Sequence, residues 1–348
     1  MKESCLFLIL CLIPLLLILV YHAHQPGEEV TADEILADGG KYVLTPDGRY
    51  IEYFICGAPA NEPGTQDVYY QHGYGQTGKS IYKLGKICPA AEKLGLRIIS
   101  PSQPGFGLSS HYPIGRTRRL KEWPADIRLI LQKENVDKFY VSGASAGCVH
   151  AFVVAHHFQD RVLGVGVNTP TAPLSVEVGL TSLAAPTKFV RIALEYRWSG
   201  EFLAWLMAQM DPHTRMAAAP DVQKAMDKFA LGEEEWMSEA HEGYVEDQAR
   251  GVKKGHRGWA DNMAVLNEDL PFPIEELGFV HAAGNAFVLT SAVDDTTNPP
   301  AMQLYYRDNI PGARIIERPA GFGHLHGSVP GCFEEIFREM MGHPSTEG

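Results

Sequence analysis

The segment Gly143-Ala144-Ser145-Ala146-Gly147 constrains this chain more than any other, because it directly follows the strand-like run Lys138-Phe139-Tyr140-Val141-Ser142. A serine on a sharp strand-to-helix turn is forced into a strained backbone conformation that pushes its hydroxyl out above a sheet. Glycines two residues to either side let neighbouring backbone pass without a Cβ clash. The apolar stretch at 151–155 then reads as the buried helix that follows the turn. Small-residue runs also occur in ordinary turns, so the signal lies in the strand before and the helix after.

The flanking sequence supplies the sheet. Segments 41–44 and 50–56 are joined by Thr45-Pro46-Asp47-Gly48, a turn set that predicts a hairpin. A short strand at 67–71 ends in His72-Gly73. Residues 90–94 read as helix with a C-cap at Gly95, 96–100 as strand, and 123–133 as an amphipathic helix with Ile127, Ile130 and Leu131 on one side. A strand at 162–167 follows the serine turn and its helix. The closing part alternates again, with strands at 286–290 and 314–317 and helices around 302–307 and 333–341. This alternation predicts an α/β chain with a mostly parallel sheet and helices on both faces. A length of 348 residues, 45% hydrophobic, suffices for one large core or a core with an inserted subdomain.

From about 171 to 270 the alternation breaks. Phe202, Leu206 and Met210, then Val222, Met226 and Phe229, recur at helical spacing. Four of the five tryptophans, Trp198, Trp205, Trp236 and Trp259, fall in the same stretch. These side chains predict the core of an inserted helical subdomain, with some of them lining an apolar ligand pocket. The expected organisation is an N-terminal segment at 1–26, a sheet core in two parts at 27–170 and 271–348, and a helical cap at 171–270.

Residues 5–21 carry no charge and consist of little but Leu, Ile, Val, Phe and Cys. As a hydrophobic helix this run spans about 25 Å, short of the roughly 30 Å hydrocarbon core unless its flanks contribute. It also exceeds the about 7–15 residues of a signal-peptide apolar region, and no good small-x-small cleavage site follows it. The run reads first as a membrane anchor, then as a cleaved signal, and last as a misread buried helix. Lys2 precedes it and Glu28, Glu29, Asp33 and Glu34 follow, which favours a single pass with the bulk of the chain luminal or extracellular. Secretion after cleavage is the alternative.

Net charge is −12, from 42 acidic against 30 basic side chains, and no basic run accompanies stacking aromatics. That balance argues against a nucleic-acid partner. The six cysteines, Cys5, Cys11, Cys56, Cys88, Cys148 and Cys332, form no C-x-x-C or Cys/His metal pattern. No metal or cofactor is therefore expected. Pairing among Cys56, Cys88 and Cys332 stays open at this level.

With these landmarks the chain resembles the capped α/β-hydrolases, from about residue 41 to 341. Gln71-His72-Gly73-Tyr74-Gly75 resembles that family's oxyanion loop, and Pro104-Gly105-Phe106-Gly107-Leu108-Ser109 its P-G-x-G-x-S loop. The serine elbow and the closing Gly321-Phe322-Gly323-His324 complete the set in the expected order. Four landmarks in register are specific for fold and much less so for substrate.

The resemblance implies roles in the order serine, acid, histidine. Ser145 would be the nucleophile, which needs a base within hydrogen-bond reach. His324 stands at the family's base position, with His326 as rival and His72 as a structural member of the oxyanion turn. The acid belongs after the strand at 286–290. Asp295, with Pro299 four residues on, is favoured over Asp294, although Ser291-Ala292 stands where His-Gly is frequent. The other acid position in the family is occupied by Asn168-Thr169-Pro170 and offers no carboxylate. The amide N–H groups of Ala146 and Tyr74 would form the oxyanion hole. Serine at the elbow argues against the dehalogenase and epoxide-hydrolase branches, which require aspartate there. The implied function is a serine hydrolase of esters (including lipid-like ones), thioesters or amides. The alternative is a fold member that binds a small apolar ligand or a partner with little turnover.

Overall fold

The structure, a computed structural model, describes residues 17, 20–113, 116, 118–173, 175–181, 197–216 and 219–342. The turn at Thr45-Pro46-Asp47-Gly48 does make a hairpin, in which β1 (Lys41–Leu44) pairs antiparallel with β2 (Tyr50–Gly57). Among the described residues the remaining strands are β3 (Gln66–Gln71), β4 (Leu96–Pro101), β5 (Phe139–Ala144), β6 (Val162–Asn168), β7 (Phe287–Ala292) and β8 (Ala313–Arg318). They form one eight-stranded sheet in the order β1-β2-β4-β3-β5-β6-β7-β8. Apart from the antiparallel β1–β2 and β2–β4 pairs, every neighbour is parallel.

Helices α1 (Ala32–Ala37), α2 (Ile87–Lys93), α3 (Trp123–Lys133) and α4 (Gly147–His157) belong to the first half of the chain. Between β6 and β7 come α5 (Glu177–Thr181), α6 (Arg197–Gln209), α7 (Pro212–Met216), α8 (Pro220–Leu231), α9 (Glu235–Gly251) and α10 (Arg257–Leu266). This helical insertion is the cap. After it, α11 (Phe279–Ala282), α12 (Pro300–Asn309) and α13 (Cys332–Met340) complete the fold.

Strand periodicity assigns the two faces of the sheet. Tyr69, Ile99, Phe139 and Val141 point to the layer of α3 and α4, where Ile127, Ile130, Val149 and Phe152 are buried. Their neighbours Val68, Tyr70, Ile98 and Tyr140 point to the other layer, against Ala91 of α2 and Phe333, Ile336 and Phe337 of α13. Phe152 is fully buried with its ring 5.0 Å from that of Tyr306 and 5.8 Å from that of Phe287. Burying such a side chain contributes about 1.5–3 kcal/mol, so α4 is fixed where the serine turn needs it.

The cap is docked by charge as well as by apolar contact. Arg250 of α9 reaches Glu52 of β2 at 2.6 and 2.7 Å and Asp38 at 2.7 Å. Glu52 is fully buried and also accepts the Ser102 hydroxyl. The P-G-x-G-x-S loop makes room for this contact. Gly107 has φ +58°, and a Cβ there would overlap both Arg250 Nη1 and Glu52 Oε1, while Gly105 packs backbone to backbone on Gly258 of α10. Ser109 Oγ accepts the Glu52 N–H at 3.1 Å and donates to the Ser102 carbonyl at 2.8 Å.

Two expectations need correction. Val222, Met226 and Phe229 are buried in the cap as their spacing predicts, but Leu206 on α6 and Met210 just past its end are 41% and 39% exposed. The spacing on α6 marks a helix there, not the subdomain core. The predicted helix at 90–94 starts earlier, at Ile87. The cysteine question closes with a disulfide between Cys56, on β2, and Cys88, on α2, leaving Cys148 and Cys332 as buried thiols. The N-terminal hydrophobic helix expected at 5–21 lies outside the described residues, apart from residues 17, 20 and 21. Among the described residues no helix is long and apolar enough to cross a membrane.

Candidate active site

The serine turn has the geometry its glycines predict. Ser145 sits at φ 52°, in the left-handed region, and its N–H donates to the Asn168 carbonyl at 2.8 Å. A non-glycine residue held there costs on the order of 1–3 kcal/mol, offset by the packing on either side. A Cβ at position 147 would overlap the carbonyls of His72 and Gln71, so only glycine lets α4 start this close to β3.

Two loops at the same end of the sheet bring their side chains to Ser145. His324 lies in the short 3-10 turn Gly323–Ser328 after β8, and Asp295 follows β7. The hydroxyl of Ser145 is 2.8 Å from His324 Nε2, and His324 Nδ1 is 2.9 Å from Asp295 Oδ2. The other Asp295 oxygen accepts the N–H groups of Thr297 and Asn298, at 3.0 and 2.7 Å. With Oδ1 thus occupied, Oδ2 is left to accept the His324 Nδ1–H, which leaves Nε2 free to accept the serine proton. Burial alone would lower the His324 pKa, but the charge and hydrogen bond of Asp295 and the charge of Asp221 raise it above 6.5.

The rival residues go elsewhere. Asp294 accepts the Gly321 N–H at 2.8 Å and so shapes the loop that carries His324 without touching the imidazole. His326 is buried against Thr290 Oγ1, at 3.1 Å, and the Gly323 carbonyl, and burial lowers its pKa to about 4. His72 is also buried, which holds its pKa down at about 3. Its Nε2 accepts the Gln103 N–H at 3.1 Å, so its proton sits on Nδ1 and points at the Gly73 carbonyl. Tyr74 and Ala146 both border the cavity over Ser145, and a Cβ on Gly73 would stand 3.5 Å from that of Ser145.

Two neighbours were invisible in the sequence pattern. Asn298 Nδ2 donates to the Thr169 carbonyl at 2.8 Å and lies 3.4 Å from Ser145 Oγ. Asp221, in the first turn of cap helix α8, accepts the His324 N–H at 3.1 Å, the Thr296 N–H at 3.1 Å, and the hydroxyls of Thr296 and Thr297 at 2.8 and 3.0 Å. Burial would raise its carboxyl, but the Thr296 bonds and the nearby His324 hold it below 3.8. One cap carboxylate thus spans both loops that carry Asp295 and His324. An acidic residue after a proline at a helix start is an ordinary first-turn signal, so nothing in the sequence marks it.

Between sheet and cap lies a cavity of about 330 Å³ with Ser145 and His324 on its floor. Met207, Val222, Met263, Leu266 and Leu325 make much of its wall apolar.

The chain belongs to the α/β-hydrolase fold family, whose description, alpha/beta hydrolase fold, it matches over residues 68–325. It is similar to Epoxide hydrolase B of Mycobacterium tuberculosis (strain ATCC 25618 / H37Rv), at 29% identity over 127 residues. That match covers 36% of this chain and 34% of the relative, so it spans about a third of the relative's length. Among solved structures, a hydrolase from Pseudomonas aeruginosa PA01 superposes with a TM-score of 0.62 at 18% identity, covering 88% of this chain and 99% of that one. A thermophilic esterase from Thermogutta terrifontis gives 0.57 at 16% identity, covering 86% and 97%. At such identities these structures establish the fold alone.

Proposed function

We propose that this chain is a serine hydrolase that cleaves carboxylic esters, and by the same chemistry thioesters or amides, through an acyl-enzyme on Ser145. The observation that carries the reading is the unbroken hydrogen-bond path from Asp295 through His324 to Ser145 Oγ. His324 Nε2 takes the hydroxyl proton as the Oγ–C bond forms, while Asp295 steadies the imidazolium. The N–H groups of Tyr74 and Ala146 receive the oxyanion, each such donor being worth about 3–4 kcal/mol in the barrier. Collapse breaks the bond to the leaving oxygen, which leaves with the proton from His324. A water then gives a proton to His324 as it attacks the acyl carbon, and the acyl–Oγ bond breaks as His324 returns that proton to Ser145 Oγ and the carboxylic acid leaves.

The name of the mycobacterial relative raises epoxide opening as another reading, and the residue at the elbow argues against it. A carboxylate that opens an epoxide becomes an ester, which water can hydrolyse. Ser145 would become an alkyl ether with no carbonyl carbon for water to attack. Carbonyl chemistry is the reaction that returns a serine enzyme to its starting state.

A fluorophosphonate probe tests the proposal directly. It should label the folded protein at Ser145, and Ser145→Ala should lose ester turnover by on the order of 10⁶ while keeping the wild-type circular dichroism spectrum. A purified variant retaining about a tenth of wild-type rate would overturn the assignment.

The catalytic domain is proposed to work on the luminal or extracellular side, anchored by residues 5–21 or released by signal cleavage. Support comes from the uncharged run itself and from the Cys56–Cys88 disulfide, a bond that persists in oxidising compartments. Alkaline carbonate should leave the anchored form in the membrane pellet, and the mass of the mature N-terminus distinguishes anchor from signal. A full-length chain released by carbonate would count against the anchor.

A further inference from the structure

Ser145 Oγ has a second hydrogen-bond neighbour besides His324. The side-chain nitrogen of Asn298, the residue just before Pro299, lies 3.4 Å from that oxygen and 2.8 Å from the Thr169 carbonyl. A carbonyl only accepts, so the Thr169 contact decides which way the amide is turned, with its nitrogen toward Thr169 and Ser145. That nitrogen carries two N–H groups. One is taken by Thr169, and the other is left for Ser145 Oγ. Asn298 is 5% exposed and borders the cavity.

The residue is fixed at its backbone as well. Its N–H donates to Asp295 Oδ1 at 2.7 Å, and its carbonyl accepts from Gln303 Nε2 at 3.2 Å. Gln303 is fully buried, donates also to the Pro170 carbonyl at 3.0 Å and accepts the Ser291 hydroxyl at 3.2 Å. Pro299 narrows the backbone choices of Asn298 further, as a proline does for the residue before it. Thr169, which takes the amide, is held at φ 42°, a left-handed conformation rare for a β-branched residue. Such strain persists only where the surroundings over-determine it, and it gathers at functional sites. The end of β6 therefore serves Ser145 twice. The Asn168 carbonyl holds the backbone N–H of Ser145, and the next carbonyl holds the amide beside its hydroxyl.

We propose that Asn298 is a further catalytic residue, whose side-chain N–H donates to Ser145 Oγ and holds that oxygen in the position from which it attacks. The proposal rests on the serine-hydrolase reading for the reaction itself. A hydroxyl oxygen has one hydrogen and two lone pairs. With the hydrogen given to His324 Nε2 and one lone pair to Asn298, the second lone pair is left for the electrophilic carbon. Two contacts also confine Oγ more tightly than His324 alone, which is the part of the barrier that orientation can remove. When the acyl-enzyme collapses, the C–Oγ electron pair returns to Oγ, which takes its proton from His324. The same N–H then steadies the charge building on that oxygen.

The rate of fluorophosphonate labelling tests this on the full-length protein without a known ester. Oγ attacks phosphorus, its proton passes to His324 Nε2, and fluoride leaves with the P–F electron pair. Asn298→Leu keeps the approximate size of the side chain and removes both N–H groups, and Asn298→Ala removes them together with the bulk. Each should lower the plateau labelling rate by about three- to tenfold, the worth of one hydrogen bond, and leave the acid limb of the pH profile where wild type has it. The unmoved limb separates this role from a structural one. An amide that only braced the Asp295 loop would, once lost, loosen Asp295 from His324 and carry the limb to lower pH, because the Asp295 charge raises that pKa. A limb that moves, or a plateau that does not fall, overturns the proposal and leaves the hydrolase reading standing. A wild-type protein that fails to label brings down both. If neither variant folds, NMR of wild type carrying isotope-labelled asparagine decides. Phosphonylation of Ser145 should shift one of the two Asn298 amide-proton resonances and leave the other, bound to Thr169, in place. Two unmoved resonances overturn the proposal.

Discussion

Asp294 and Asp295 are adjacent carboxylates that end in different environments because the backbone turns between them. Asp295 Oδ1 is held by the N–H groups of Thr297 and Asn298, which aims Oδ2 at His324, while Asp294 holds the Gly321 N–H. In Asp295→Asn the amide oxygen would keep the two backbone donors and the NH₂ would face His324 Nδ1. That puts the imidazole proton on Nε2, where it can no longer accept from Ser145. Turnover should fall by about 10⁴ with folding intact. Asp294→Asn keeps an acceptor for Gly321 and should cost far less. Steady-state kinetics on both variants checks the ranking, and the reverse order would move the role to Asp294.

At the scale of the element, α8 does more than roof the cavity, because its first turn carries Asp221 to the loops of both Asp295 and His324. The titratable groups acting on His324 are Asp295 and Asp221, and both raise its pKa against the effect of burial. The proposed mechanism needs the neutral imidazole, so the acid limb of kcat/KM should lie above pH 6.5. Asp221→Asn removes one of the two negative charges, lowers the His324 pKa and moves that limb to lower pH, with a reduced plateau from looser loops. A pH–rate profile distinguishes this from simple loss of packing, which would lower the plateau and leave the limb where it was. Much of this architecture is legible in the chain. The turn at Thr45-Pro46-Asp47-Gly48, the run Trp123–Lys133 and the glycine-flanked Ser145 carry local signals that survive into the fold. Asp221 and Asn298 carry none, because their roles are made by contacts between segments far apart in sequence. Leu206 and Met210 show the converse, a helical spacing that does not say which helix face is buried. Helix α1 carries a local signal too, the capping box formed by Thr31 and Glu34.

At the scale of the molecule, cap and core are joined through the buried Arg250–Glu52 contact. Arg250→Ala would strand the Glu52 carboxylate without its cation inside the protein, a change that costs about 3–5 kcal/mol in comparable buried pairs. Urea denaturation should register a loss of that size, and a change under about 1 kcal/mol would mean that water reaches Glu52 in the folded state. The placement of Asp221 has a different kind of consequence. Asp221 ties the loops of Asp295 and His324 to the cap rather than to the sheet that carries them, so the cap is part of what holds those loops in place. Any displacement of α8 from the sheet would therefore be felt at both loops, and the setting of Ser145 would depend on where the cap stands.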